Sequence, residues 1–204
     1  MILLVRHGET AANRDRLALG RADPELTERG RAQAAAVAAR LGATSVATVL
    51  SSPLGRARET AAPIAEVVGA EVVLDERLIE LDYGEWDGKS FSNLPPDQLD
   101  RWRTDPTFAL PGGESLRAVT TRVGAFCAEH LDGPTVVAVS HVSPIKAAVT
   151  WALGADEGLA WRMFLDLASI TRIAGRNGQA SLIGYNDIGH LTPQADGGGR
   201  GPRI

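Results

Sequence analysis

Short apolar runs alternate along the chain with Ala-rich stretches whose apolar residues return every three or four positions. Strands and amphipathic helices taking turns in this way predict an α/β fold with a largely parallel sheet. The first run, Ile2 to Val5, predicts a strand. Thr27 then suits a helix N-cap, and Ala34, Ala35, Ala38 and Leu41 follow near helical spacing to a stop at Gly42. Val46 to Leu50 predicts a second strand, and Leu54, Ala57, Ala61, Ile64, Ala65 and Val68 mark the next helix. Val72 to Leu74 is a short third strand. From Phe91 to Pro111 the chain turns polar and proline-bearing, which predicts a lid-like insertion with one short helix rather than a central strand. Helical periodicity returns from Glu114 to Leu131. The β-branched run Thr135 to Val139 reads as a buried central strand, with a helix expected after Ser143. Ser169 to Ala174 and Ala180 to Ile183, separated by Asn177-Gly178, predict an antiparallel pair at the sheet edge.

A chain of 204 residues, 44% of them hydrophobic, suits one buried core. The expected organisation is a single domain over residues 1–191 and a disordered tail over 192–204, where TPQADGGGRGPRI carries too little apolar surface to offset the cost of ordering. No apolar run reaches the roughly 18 residues of a membrane span. MILLVRHGET lacks the basic lead and longer apolar stretch of a secretory signal, so a cytoplasmic, non-membrane protein is expected. The single Cys127 lies among apolar helix residues and reads as structural. A net charge of -4 disfavours nucleic acid as a partner, while a local arginine cluster still suits a small anionic substrate.

Two histidines, His7 and His141, stand just past apolar strands, and in a parallel sheet both project from the carboxyl edge where ligands of open α/β folds bind. Around His7 the sequence is Arg6-His7-Gly8-Glu9-Thr10, with Asn13 close behind. One strand-to-helix turn thus offers a guanidinium, a glycine that admits close backbone approach, a hydroxyl and an amide, which is an anion cradle. Arg56 supplies a second guanidinium after the second strand, whereas neighbouring Arg58 suits a helix surface. Gly84 to Ser90, GEWDGKS, ends like a nucleotide phosphate loop but has one residue too few between its glycines, and Trp86 and Asp87 fill its interior. His7, His130, His141 and His190 form no close pair, so no metal is expected. A serine hydrolase is disfavoured because the chain has no G-x-S-x-G elbow.

LVRHGET, followed by SSPLGRARETA, ELDYGEWDG, PGGES and VVAVSH, resembles the histidine phosphatase superfamily, which includes the phosphoglycerate mutases. The resemblance runs over roughly residues 1 to 190 and implies a three-layer α/β sandwich of the phosphoglycerate mutase type. It makes His7 the nucleophile that becomes phosphorylated. It gives Arg6, Asn13, Arg56, His141 and Val142 to the phosphate, Val142 either through its backbone N–H or with an inward side chain that narrows the pocket, and it makes Glu80 the proton donor four residues before the glycine of the Tyr83-Gly84 step. His141 is expected to donate a hydrogen bond to a phosphate oxygen. Asp82 is the nearest rival acid, since a two-residue shift along extended chain keeps a side chain on one face. Val142 departs from the small residue found there in many members. Arg101, Trp102 and Arg103 are candidates for leaving-group contacts or for covering the domain surface. The implied activity is hydrolysis of a small-molecule phosphate monoester, of the histidine acid phosphatase type, without cofactor. A phosphoglycerate mutase-type transfer and a non-catalytic phosphate-binding module are the alternatives, and the short interval from Glu80 to Pro111 favours the hydrolase by analogy.

Overall fold

The computed structural model describes residues 1–191; the expected disordered tail at 192–204 lies outside the described residues. The elements are β1 (Ile2–Arg6), α1 (Ala11–Arg14), α2 (Glu28–Leu41), β2 (Thr48–Ser51), α3 (Gly55–Val68) and β3 (Val72–Leu74). They continue with α4 (Pro96–Thr104), α5 (Leu116–His130), β4 (Val136–Ser140), α6 (Val142–Leu153), β5 (Ile170–Arg176) and β6 (Gln179–Asp187). The six strands form one sheet in the order β3-β2-β4-β1-β5-β6. The pairs β3/β2, β2/β4 and β4/β1 are parallel, while β1/β5 and β5/β6 are antiparallel.

Apolar residues on both faces of the central strands explain the layering, because a parallel strand covered on two sides reads as a continuous hydrophobic run. Ile2 and Leu4 of β1, with Val136 and Ala138 of β4, pack against Val119, Val123 and Phe126 of α5 and Ile145 of α6. The alternate residues Leu3, Val5, Val137 and Val139 pack against Val37 and Leu41 of α2 and Ala57, Ala61 and Ile64 of α3. The result is the three-layer sandwich expected from the sequence. Cys127 is buried within the first of these cores.

Residues 91–111 hold one short α-helix, α4, preceded by a 3-10 turn at Phe91–Asn93. They are tied to the main core by Leu94, Trp102 and Leu110, all buried. Trp102 stacks on Phe91 and meets Tyr83 and Trp161 edge-on, so the segment is anchored through aromatic packing.

Three neighbouring parallel strands, β2, β4 and β1, end on one edge of the sheet. The residues that follow their last turns of chain are Ser52, His141 and His7. Their backbones are tied together there: the His7 N–H donates to the Ser140 carbonyl at 3.0 Å and the Ser52 N–H to the Val139 carbonyl at 2.9 Å.

Candidate active site

His7 is buried, with 2% of its surface exposed. Its Nδ1 lies 2.7 Å from the carbonyl oxygen of Gly8. A carbonyl only accepts, so Nδ1 carries the proton and Nε2 keeps its lone pair. Burial, followed by the charges of Arg56 and Arg6, holds the imidazole well below its ordinary pKa. The ring is therefore a neutral base with one free nitrogen.

The loop carrying His7 is held by close packing. A Cβ at Gly8 falls 2.4 Å from the Gly30 carbonyl oxygen, and one at Gly30 falls 2.2 Å from that of Glu9, so the loop and the first turn of α2 approach closer than any side chain allows. Thr60 of α3 accepts the Gly8 N–H at 3.0 Å and donates to the Arg56 carbonyl at 2.8 Å. Glu9 turns away from the site, accepting from Thr27 and Arg29. Thr10 caps α1 in a reciprocal box with Asn13, whose Oδ1 accepts both the Thr10 N–H and its hydroxyl. That fixes the Asn13 amide and leaves its NH2 free to donate.

Arg56 is fully buried. Its Nη1 donates to the Ala22 carbonyl at 2.6 Å, its Nη2 to that of Gly20 at 2.7 Å, and its Nε to His141 Nδ1 at 3.2 Å. A guanidinium cannot accept, so His141 Nδ1 is the acceptor and its proton sits on Nε2, 2.7 Å from Ser52 Oγ. Nε2 is thus the nitrogen able to donate, as the expected bond from His141 to a phosphate oxygen requires. Here Arg56 claims one nitrogen and Ser52 the other. The His7 and His141 ring centres are 5.0 Å apart. Burial, Arg56 and His7 hold His141 well below its ordinary pKa.

Arg6 donates through Nη1 to the Leu165 carbonyl at 2.6 Å, while its Nε is buried without a partner. Desolvation brings its pKa down to about 10. Such a donor, stripped of water and unpaired, gains most from an anion.

Glu80 and Asp82, inseparable by spacing, part company in three dimensions. Glu80 is buried at 3% exposure, and its carboxylate lies against the N-terminus of α6. Oε2 accepts the Val142 N–H at 3.1 Å, and Oε1 accepts the Ser143 N–H at 3.2 Å and the Leu81 N–H at 2.7 Å. The Val142 N–H is thus occupied by a carboxylate. Asp82 instead accepts the N–H of Gly84 and closes a local turn. Arg122 braces the Glu80 segment, donating to the carbonyls of Arg77 and Glu80 while paired to Glu114.

The candidates on α4 separate. Arg101 is exposed and paired with Asp105 over the Phe108 ring, Trp102 is core, and Arg103 is half-buried. Among the described residues no group of three or more His, Cys, Asp or Glu side chains converges. No helix there is long and apolar enough to cross a membrane.

Sequence reasoning missed several residues at this edge. Ser52 lay inside a quoted motif, two residues into SSPLGRARETA, and its place after a strand was the available signal. Lys146, one turn along α6 from Val142, is held down to about 8 by burial and by Arg6, with Glu80 opposing. Tyr83 is pushed up by burial and by Glu80. Tyr83, like Ser52, lay inside a quoted motif, ELDYGEWDG, whereas Lys146 carried no signal beyond its type.

Residues 2–188 match the histidine phosphatase superfamily (branch 1). A bifunctional protein of Mycobacterium tuberculosis is 39% identical over 199 residues, covering 93% of this chain and 54% of its own; the chain thus spans about half the length of that relative. Phosphoserine phosphatase 1 of Hydrogenobacter thermophilus is 35% identical over 198 residues, with 93% of each chain covered. The phosphoserine phosphatase of Entamoeba histolytica, solved with 3-phosphoglyceric acid, superposes with a TM-score of 0.87 at 29% identity, over 94% of this chain and 98% of that one.

Proposed function

The chain belongs to the histidine phosphatase superfamily, and on that premise we propose that it hydrolyses a small-molecule phosphate monoester through a phosphohistidine on His7. The observation that carries the reading is the His7 ring itself: buried, neutral, its Nδ1 proton fixed on Gly8, and its Nε2 lone pair free beside two arginines. Relatives acting on phosphoserine support a small acidic ester as substrate.

In the proposed cycle, His7 Nε2 attacks phosphorus, the bond to the leaving oxygen breaks, and Glu80 gives that oxygen its proton. Water then attacks the phosphohistidine. Glu80 takes a proton from the water, and the N–P electron pair returns to Nε2. Glu80 accepts from three backbone N–H groups, which hold its carboxyl at the N-terminus of α6. A phosphate arriving at the Val142 and Ser143 N–H groups displaces the carboxyl, which can then carry a proton. Arg6, Asn13 and Arg56 balance the phosphoryl charge, and His141 exchanges Ser52 for a phosphate oxygen. No step calls on a metal or cofactor. A His7 that stays neutral well below pH 6.5 supports activity into the acid range, and so the acid phosphatase type. Leaving-group contacts from Arg103 on α4 belong to the same reading, with Trp102 supporting from beneath.

The test is release of phosphate from an aryl phosphate together with trapping of an acid-labile, base-stable phosphoprotein. Turnover with the label on His7 is the expected result. Transfer between hydroxyls that requires a bisphosphate primer, with negligible phosphate release, would establish the mutase reading instead.

A further inference from the structure

The segment Gly84 to Ser90 holds a carboxylate that the cycle above leaves unused. Asp87 Oδ1 accepts the Gly20 N–H at 2.8 Å, and Oδ2 accepts those of Arg21 at 2.8 Å and Ala22 at 2.7 Å. Two further backbone bonds of 2.8 Å lock the same pair of segments, Gly88 N–H to the Ala18 carbonyl and Ala18 N–H to that of Lys89. The carbonyls of Gly20 and Ala22 are the ones that receive Arg56. A carboxylate takes the N–H groups of this loop while a guanidinium gives to its carbonyls. The peptide dipoles between them are aligned by two opposite charges, and each bond strengthens the others.

Arg56 has five N–H groups; the bonds to Gly20, Ala22 and His141 use three, which leaves one on each Nη, with Asp23 Oδ1 standing 3.6 Å from Nη1. A buried guanidinium clamped at three points has no freedom to choose where those two face. We propose that Asp87 is a positioning residue for phosphate binding: it fixes Gly20, Arg21 and Ala22 so that the Gly20 and Ala22 carbonyls aim the remaining N–H groups of Arg56 at the substrate phosphate.

The proposal rests on the phosphatase reading but is tested apart from turnover. It also differs in sign from a role through charge alone. An anion near a phosphate site repels the phosphate, so neutralising a mere anion tightens binding, whereas loosening the clamp weakens it. Inorganic phosphate is titrated calorimetrically into the full chain as wild type, D87N, R56K and the double variant. Asp87→Asn keeps the shape but sets an amide N–H against the loop's own N–H groups.

Phosphate affinity is expected to fall about tenfold in D87N. The double variant is expected to be no more than about twofold worse than R56K, because both changes break one device. Unchanged or tighter binding in D87N, or losses that multiply in the double variant, would overturn the proposal. Should D87N not fold, Asp87→Ser, which leaves a smaller side chain at this half-buried position, is expected to show the same loss, and wild-type affinity there is equally fatal. A wild-type chain that binds phosphate but neither turns over esters nor forms phosphohistidine removes the phosphatase reading and leaves the phosphate titrations to judge Asp87.

Discussion

One carbonyl oxygen prepares His7 for its part. By holding the Nδ1 proton, Gly8 O leaves only Nε2 to react. Replacing His7 with Ala is expected to abolish the phosphoprotein and lower turnover by at least about 10³-fold with the fold intact, checked by labelling and circular dichroism. Glu80→Gln removes the proton but keeps acceptor oxygen. It is expected to slow an alkyl phosphate at least about tenfold more than an aryl phosphate, since a good leaving group needs less protonation. Equal slowing in a leaving-group series would remove Glu80 from the acid's role. At this scale the sequence displayed what was contiguous: Arg6, His7 and Asn13 share one turn, and His141 follows an obvious strand. It did not display Ser52 on His141, or Arg122 beneath Glu80, because each contact joins a side chain to a partner about 40 or more residues away. The choice between Glu80 and Asp82 was likewise hidden, since it depends on which of them meets the N-terminus of α6.

Helices and strands were legible where periodicity is strong, and their ends were not. The second arm of the edge hairpin runs over Gln179–Asp187, well beyond the predicted Ile183. Gly184 and Asp187 look like turn residues, yet they pair with Arg172 and Ile170 of β5, while Asn186 between them keeps a left-handed backbone at the irregularity. α6 begins at Val142 with His141 as an N-cap that makes no side-chain capping bond, so no cap residue announced it. α5 starts at Leu116 behind the Ser115 cap, which leaves Glu114 outside the helix and free to pair with Arg122. The contact between the His7 loop and α2 is the element-scale joint of the site. Gly30→Ala places a methyl group inside the Glu9 backbone. It is expected to cost about 1–3 kcal/mol by urea denaturation and to lower kcat through displacement of His7. A variant of wild-type stability would mean that α2 yields at no cost.

Across the whole molecule, two histidines are folded away in the neutral state. Their pKa values lie well below 6.5, so as pH falls beneath that point the unfolded chain binds protons that the folded chain refuses. Stability is therefore fully present above about pH 6.5 and is lost on acidification, by about 1.4 kcal/mol per pH unit for each ring until the folded pKa is reached. Urea midpoints taken between about pH 6.5 and 5 measure the slope, and His7→Asn is expected to remove somewhat under half of it, the rest belonging to His141 and to His190, which burial also lowers. A flat profile would show that the rings are charged in the folded state.

The reacting groups and the segment at 91–111 answer to different constraints. His7, His141 and Ser52 sit on the ends of three neighbouring strands, where a shift of one residue in register turns a side chain to the opposite face. Trp102 and its aromatic neighbours ask of 91–111 only that bulk and flatness be kept beneath it. A substitution at the sheet edge is therefore felt directly at the site, while the outer segment accepts those that keep its apolar bulk.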